Sequence, residues 1–145
     1  MLSAKQVIQK LGLQPHPEGG FFRETYRHVD PDGERGLGTA IYFLLTADTY
    51  SHWHRVDALE IWHWYCGSTI TLTISETGED AVAHQLGPDI MKGERPQVIV
   101  PPGAWQSAET LGDWSLVGCT VTPAFSFEGF ELAPPDWRPG PRAGS

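Results

Sequence analysis

The sequence predicts an all-β fold, a sandwich or barrel introduced by one short helix. Helical periodicity is confined to the first dozen residues, and the rest breaks into short runs divided by Gly, Pro and Asp. One of those runs, STITLTI (68–74), alternates cleanly, with Ile70, Leu72 and Ile74 on one face and threonines on the other. Short strands at regular spacing are the mark of sheet packed on sheet or closed on itself.

The elements follow in order. Residues 3 to 11 read as a helix: Ser3 and Gln6 match a capping box, Leu2 and Val7 a hydrophobic staple, and Gly12 the stop. FFRETYR (21–27) and TAIYFLL (39–45) are strands, and HVDPDGERGLG between them is a loop. SETGED reads as a hairpin turn from STITLTI into AVAHQL. QVIVP (97–101) and SLVGCTVT (115–122) are further strands. With 145 residues the chain predicts one domain over 1–133, followed by a loose Pro- and Gly-rich tail over 134–145.

Composition narrows the function. A net charge of −8 argues against nucleic acid, whose phosphates need a basic face. No run approaches the roughly 18 apolar residues of a membrane helix. Lys5, Gln6, Gln9 and Lys10 interrupt what a signal peptide would keep apolar. Cys66 and Cys119 are too few for a disulfide scaffold and read as free thiols of a cytoplasmic protein, although one bridge between them stays open.

The densest chemistry lies in SHWHRVDALEIWHWYCG (51–67), which holds three histidines, three tryptophans, a tyrosine and two acids. Residues two apart on a strand share a face, so His52 and His54 are expected to converge, with Glu60 arriving on the next strand. Two imidazoles and a carboxylate suit Fe, Mn, Ni or Zn with positions left open. They suit metal-free acid–base work equally, and the sequence leaves both open. Parity puts Glu60, Trp62 and Trp64 on one side of their strand and Ile61, His63 and Tyr65 on the other. His63 is therefore read as a structural or interface residue.

A second stretch, PHPEGG (15–20), leads into the strand 21–27, where alternation groups Phe22, Glu24 and Tyr26 against Phe21, Arg23, Thr25 and Arg27. Its double glycine permits a close backbone approach. One face offers Glu24 and Tyr26 as candidate base and acid, the other offers Arg23 and Arg27 as candidate ligands for a phosphate or carboxylate, and which face lines a pocket stays open. Arg55 and Asp57 are expected to pair on a loop. His16, His28 and His84 carry no pattern and read as surface residues.

These stretches, with VPPGAWQSAET (100–110) and its continuation to residue 133, resemble the cupin-5 family of small single-domain cupins. His52-x-His54, Glu60 and Gly67 stand in for the first cupin motif, and the turn Pro101 to Gly103 opens the second. The resemblance implies a cupin-type jelly-roll β-barrel, commonly dimeric, with a pocket inside. His52, His54, Glu60 and Gln106 would point into that pocket, with Trp62, Trp64 and Tyr26 or Tyr42 in its wall. The chain departs from the metal-binding pattern at Gln106, where such cupins carry a fourth ligand, a histidine. Thr110 replaces a usual asparagine, and Leu59 a frequent acid. One divalent metal ion on His52, His54 and Glu60 is thus a weaker site than the superfamily's.

Three kinds of function fit. One is a sugar or nucleotide-sugar isomerase or epimerase, in which His, Glu and Tyr side chains move a proton next to a carbonyl. Another is a metal-dependent enzyme such as a dioxygenase, against which Gln106 counts. The third is a non-catalytic protein that binds a small metabolite, such as a sugar or phosphorylated compound. The partners expected are a small molecule and a second copy of the chain.

Overall fold

A computed structural model describes residues 2–141. Helix α1 (Ala4–Leu11) begins at Ser3, whose hydroxyl accepts the Gln6 amide while the Gln6 side chain accepts the Ser3 amide. It ends at Gly12, in the left-handed conformation that favours glycine. The expected staple does not form: Leu2 is exposed, and Val7 packs against Leu13, Leu44 and Leu116 instead.

Among the described residues eleven strands follow: β1 (Gln14–Pro15), β2 (Phe21–Arg27), β3 (Thr39–Thr46), β4 (Ser51–Val56), β5 (Leu59–Gly67), β6 (Ile70–Ser75), β7 (Val82–Leu86), β8 (Gln97–Val100), β9 (Trp105–Thr110), β10 (Trp114–Thr122) and β11 (Phe130–Leu132). They form two antiparallel sheets, β1-β2-β3-β10-β5-β8 and β11-β4-β9-β6-β7. The core joins Phe43, Trp62 and Val117 of the first sheet to Ile70, Leu72 and Ala108 of the second. Alternation along β3 sends Phe43 and Leu45 into this core and Tyr42 and Leu44 to the outer face, which α1 covers. A smaller apolar cluster of Val56, Ala58 and Val121, with Phe125 and Phe130 against it, closes one end. Between the two clusters lies the site.

Two sequence expectations change here. Residues 134–141 are pinned rather than loose: the ring of Trp137 lies 4.5 Å from that of Trp105 and 6.0 Å from that of Trp53. Residues 142–145 of the expected tail lie outside the described residues. Arg55 pairs with Glu131, and Asp57 pairs with Arg35, so the two do not meet on a loop. Cys66 and Cys119 are free thiols, as expected. Among the described residues, no helix is long and apolar enough to cross a membrane.

Candidate acid–base site in the barrel

The site starts from a turn. Residues 16–20 fold back on themselves, with the His16 amide donating to Gly20 O and the Gly19 amide to His16 O. A Cβ on Gly19 would lie 1.9 Å from Tyr50 O, and Gly19 has φ +109°, so only glycine fits there. The close approach lets the His52 amide donate to Glu18 O at 2.8 Å and carries His16 and Glu18 into the barrel. His16 is thus buried, against the surface position expected for it.

Strand β4 brings the next residue. Ser51 pairs with Ala108 and His54 with Gln106, so three steps on β4 match two on β9, a β-bulge. The bulge breaks the alternation on which a converging His52 and His54 depended. Ser51 and His54 both turn inward, and the His52 ring turns away to Pro134 O, 2.9 Å from its Nε2. Strand β5 supplies Glu60, opposite Val121 and Val100 and sharing its inner face with Trp62 and Trp64.

These groups form one buried network. Glu18 Oε2 accepts a short bond from the Ser51 hydroxyl and lies 3.2 Å from His54 Nε2, and Glu18 Oε1 is 3.3 Å from His16 Nδ1. His54 Nδ1 is 2.7 Å from His52 O, a pure acceptor, so Nδ1 carries the hydrogen and Nε2 of the neutral ring presents a lone pair to Glu18. On the other side Gln106 Nε2 donates to Glu60 Oε1 at 2.8 Å, and Gln106 Oε1 accepts from Trp62 Nε1 at 2.8 Å. Gln106 therefore stands behind Glu60 as its orienting partner.

Burial dominates the electrostatics. It pushes the Glu18 carboxyl up to about 8, against the opposing Ser51 bond. It also lifts Glu60 to about 7, with His54 pulling the other way and Glu18 adding to the rise. Burial drops His16 to about 4, helped by His54, and lowers His54 as well, which Glu60 opposes. The close His54–Glu18 contact is thus a carboxylic acid beside a neutral imidazole rather than an ion pair. Burial likewise keeps Cys119 a thiol.

The cavity at this network measures about 60 Å³. Its polar wall is His16, Glu18, Glu24, Arg27, Thr39, His54, Glu60 and Cys119, and its apolar wall is Phe22, Ile41, Val56, Val121, Phe125 and Phe127. Of the residues expected here from sequence, His54, Glu60 and Glu24 line it. Tyr26 does not, because a second bulge between Glu24 and Tyr26 shifts the register, so that Arg27 rather than Tyr26 joins the wall. Tyr42 faces outward beside Tyr65. Arg23 reaches the C-terminal end of α1, donating to Leu11 O. Trp62 and Trp64 are core packing, and phenylalanines form the aromatic wall in their place. Sequence reasoning missed His16, Glu18 and Cys119 as lining residues, and it offered Arg27 only as a partner of Arg23 in binding a phosphate or carboxylate. The one available signal was the Gly19-Gly20 pair.

The expected metal trio does not fit an ion, because the His52 ring is committed to Pro134 O. Among the described residues, no three His, Cys, Asp or Glu side chains converge as a metal site would require.

The model of a family described as Cupin superfamily (DUF985) matches residues 5–133. Protein SO0799 from Shewanella oneidensis is 41% identical over 92% of this chain and 85% of its own, with a TM-score of 0.87. A hypothetical protein from Leishmania major is 30% identical over 91% and 88%, with a TM-score of 0.82. Oxalate decarboxylase from Bacillus subtilis shares the fold alone, at 15% identity over 81% of this chain and 29% of its own, with a TM-score of 0.62. No curated protein matches the sequence.

Proposed function

The chain belongs to the cupin-5 family, and from that premise we propose that its barrel houses a metal-independent acid–base site of the isomerase or epimerase type. The observation that carries this reading is the pair of buried carboxyls, Glu18 near 8 and Glu60 near 7, that line one cavity with His54. Burial raises both, and their roles follow from their partners: Glu18 faces the lone pair of His54 Nε2, while Glu60 accepts a hydrogen bond from Gln106 that favours its ionised form. At neutral pH Glu18 holds its proton and serves as the acid, while Glu60 is largely at its midpoint and serves as the base. A carbon acid adjacent to a carbonyl, seated between them, loses a proton to Glu60. The carbonyl oxygen takes a hydrogen bond or proton from Glu18. His54 Nε2 shares the Glu18 proton and resets it between turnovers.

The positioning is built in. Gln106 fixes Glu60 through Oε1 and is itself fixed by Trp62, and the His52 carbonyl sets the His54 tautomer. Such support from behind is what holds reacting groups to productive geometry.

The test is hydrogen exchange without a presumed substrate. The protein is incubated in deuterium oxide with α-hydroxyaldehydes and ketones ranging from glycolaldehyde to hexoses, and loss of the C–H signal next to the carbonyl is followed by NMR. We expect exchange with part of the series, abolished by Glu60→Gln and unchanged by chelator. Exchange that survives Glu60→Gln, or that chelation stops, would overturn the reading.

A further inference from the structure

The inner cavity is less than half the roughly 150 Å³ that admits a benzene ring. A six-membered ring therefore does not fit the closed barrel, and only a molecular end of a few heavy atoms does. Immediately outside lies a groove of about 820 Å³, and the two share Arg27, Phe125 and Phe127. Resting on the acid–base reading above, we infer that this groove is the outer half of the binding site, with Phe127 as the gate and a preference for an uncharged or cationic substrate body.

The gate is aromatic and reaches the His54 ring through Phe130. Phe127 sits edge-on to Phe125 at 5.0 Å and to Phe130 at 5.9 Å, and Phe130 lies 5.6 Å from the His54 ring. Phe127 itself is 63% exposed, so its ring stands between solvent and cavity. The segment carrying it is tied down at its ends. The Ala124 amide donates to Gly36 O, the Phe125 amide to Thr39 Oγ1, and Gly129 O accepts the Asp57 amide. A Cβ at Gly129 would crowd the Asp57 carboxylate, which pairs with Arg35. Between the anchors the turn Phe127–Gly129 is held only by local bonds, from the Gly129 amide to Ser126 O and from the Glu128 amide to Ser126 Oγ.

The charge preference follows from which groups are already engaged. Arg27 binds Glu24 through both oxygens and donates to Phe125 O. Arg35 binds Asp57 through both oxygens and donates to Ala124 O. Glu34 and Glu128 line the same groove without an ion pair among the described residues. An incoming phosphate would have to break a bidentate pair and would face these carboxylates. Hydroxyl groups or an ammonium would not. This turns the reading away from the phosphorylated metabolite and nucleotide sugar that the sequence left open.

Cys119 lines the inner cavity and serves as a reporter that needs no knowledge of the substrate. In a Cys66→Ser background, three methanethiosulfonates are compared, one methyl, one trimethylammonium and one sulfonate, with each rate normalised to that on a small free thiol. Mass spectrometry reads the Cys119 adduct. We expect Phe127→Ala to raise methyl labelling several-fold. In that variant the cation should outpace the anion by about tenfold. Adding Glu34→Lys and Glu128→Lys should collapse that ratio while labelling by the methyl reagent persists. Unchanged labelling in Phe127→Ala would remove the gate, and an anion that reacts as fast as the cation would remove the charge preference. Neither outcome depends on proton transfer to or from a substrate carbon, so failure here is distinguishable from failure of the acid–base reading.

Discussion

His54 Nε2 and Glu18 Oε2 lie 3.2 Å apart inside the barrel, and burial raises the acid while it lowers the base. The proton between them rests on Glu18 and leaves only as pH rises toward about 8, so that pairing makes the site responsive to pH.

The first prediction is the pH profile of stability. Glu18 and Glu60 are raised above their unfolded values, so the folded state binds more protons and stability falls as pH rises toward about 8 and about 7. His16 is lowered to about 4 and His54 is lowered too, so each adds stability as pH rises toward the ordinary histidine value near 6.5. The two trends offset below about 6.5, and above it the acids act alone. Urea unfolding should show a flat region at mildly acidic pH and a decline from about 6.5 to 8. Glu18→Gln should flatten that decline by up to about 1.4 kcal/mol per pH unit. A wild-type stability that rises across this interval would contradict the burial of both acids.

The second concerns Gln106. Gln106→Leu leaves Trp62 Nε1 and Glu60 Oε1 without their partner in a buried setting. Each orphaned group costs about 1–3 kcal/mol, so a loss near the upper end of that range is expected in chemical denaturation. Because the Gln106 amide favours the ionised form of Glu60, its removal should also move the Glu60 midpoint upward. A variant as stable as the parent would mean the bridge is absent.

The third separates the two histidines of the HxH pair. His52→Ala removes a contact to Pro134 O and should cost about 1 kcal/mol or less while leaving the Glu18 midpoint in place. His54→Ala empties a fully buried position beside Glu18 and should cost about 2 kcal/mol or more while moving that midpoint. Equal effects from the two would restore the converging pair that strand parity alone suggests.

The fourth tests the turn that delivers Glu18. Gly19→Ala forces a side chain into Tyr50 O at a backbone angle that disfavours it, and should cost about 1–3 kcal/mol. It should also free Glu18 toward solvent, lowering its midpoint. Thermal unfolding and carboxyl titration read the two effects together.

What was legible from the sequence was local. The Ser3–Gln6 box, the Gly12 stop and strand 21–27 appear where their own residues put them, because capping and alternation are properties of neighbours in the chain. Glu60 and Trp62 also kept their parity, since the inner part of β5 pairs without interruption. The failures have a common cause in pairing with distant strands. His52 lost its place to a bulge against β9, and Tyr26 lost its place to a bulge against β3. Neither irregularity is written in the bulged strand itself. Glu18 was hidden for a related reason, because its position depends on how closely residues 16–20 press on Tyr50.

The central claim is that two carboxyls are held near neutrality inside the barrel, and it is tested most directly by titrating them. Protein labelled with carbon-13 at the glutamate side-chain carboxyl is followed by NMR from pH 4 to 9.5, with Glu18→Gln and Glu60→Gln assigning the two signals. We expect Glu18 to titrate near 8 and Glu60 near 7, both well above the ordinary carboxylate range. Two signals that titrate near the ordinary glutamate value of about 4.3 would contradict the account.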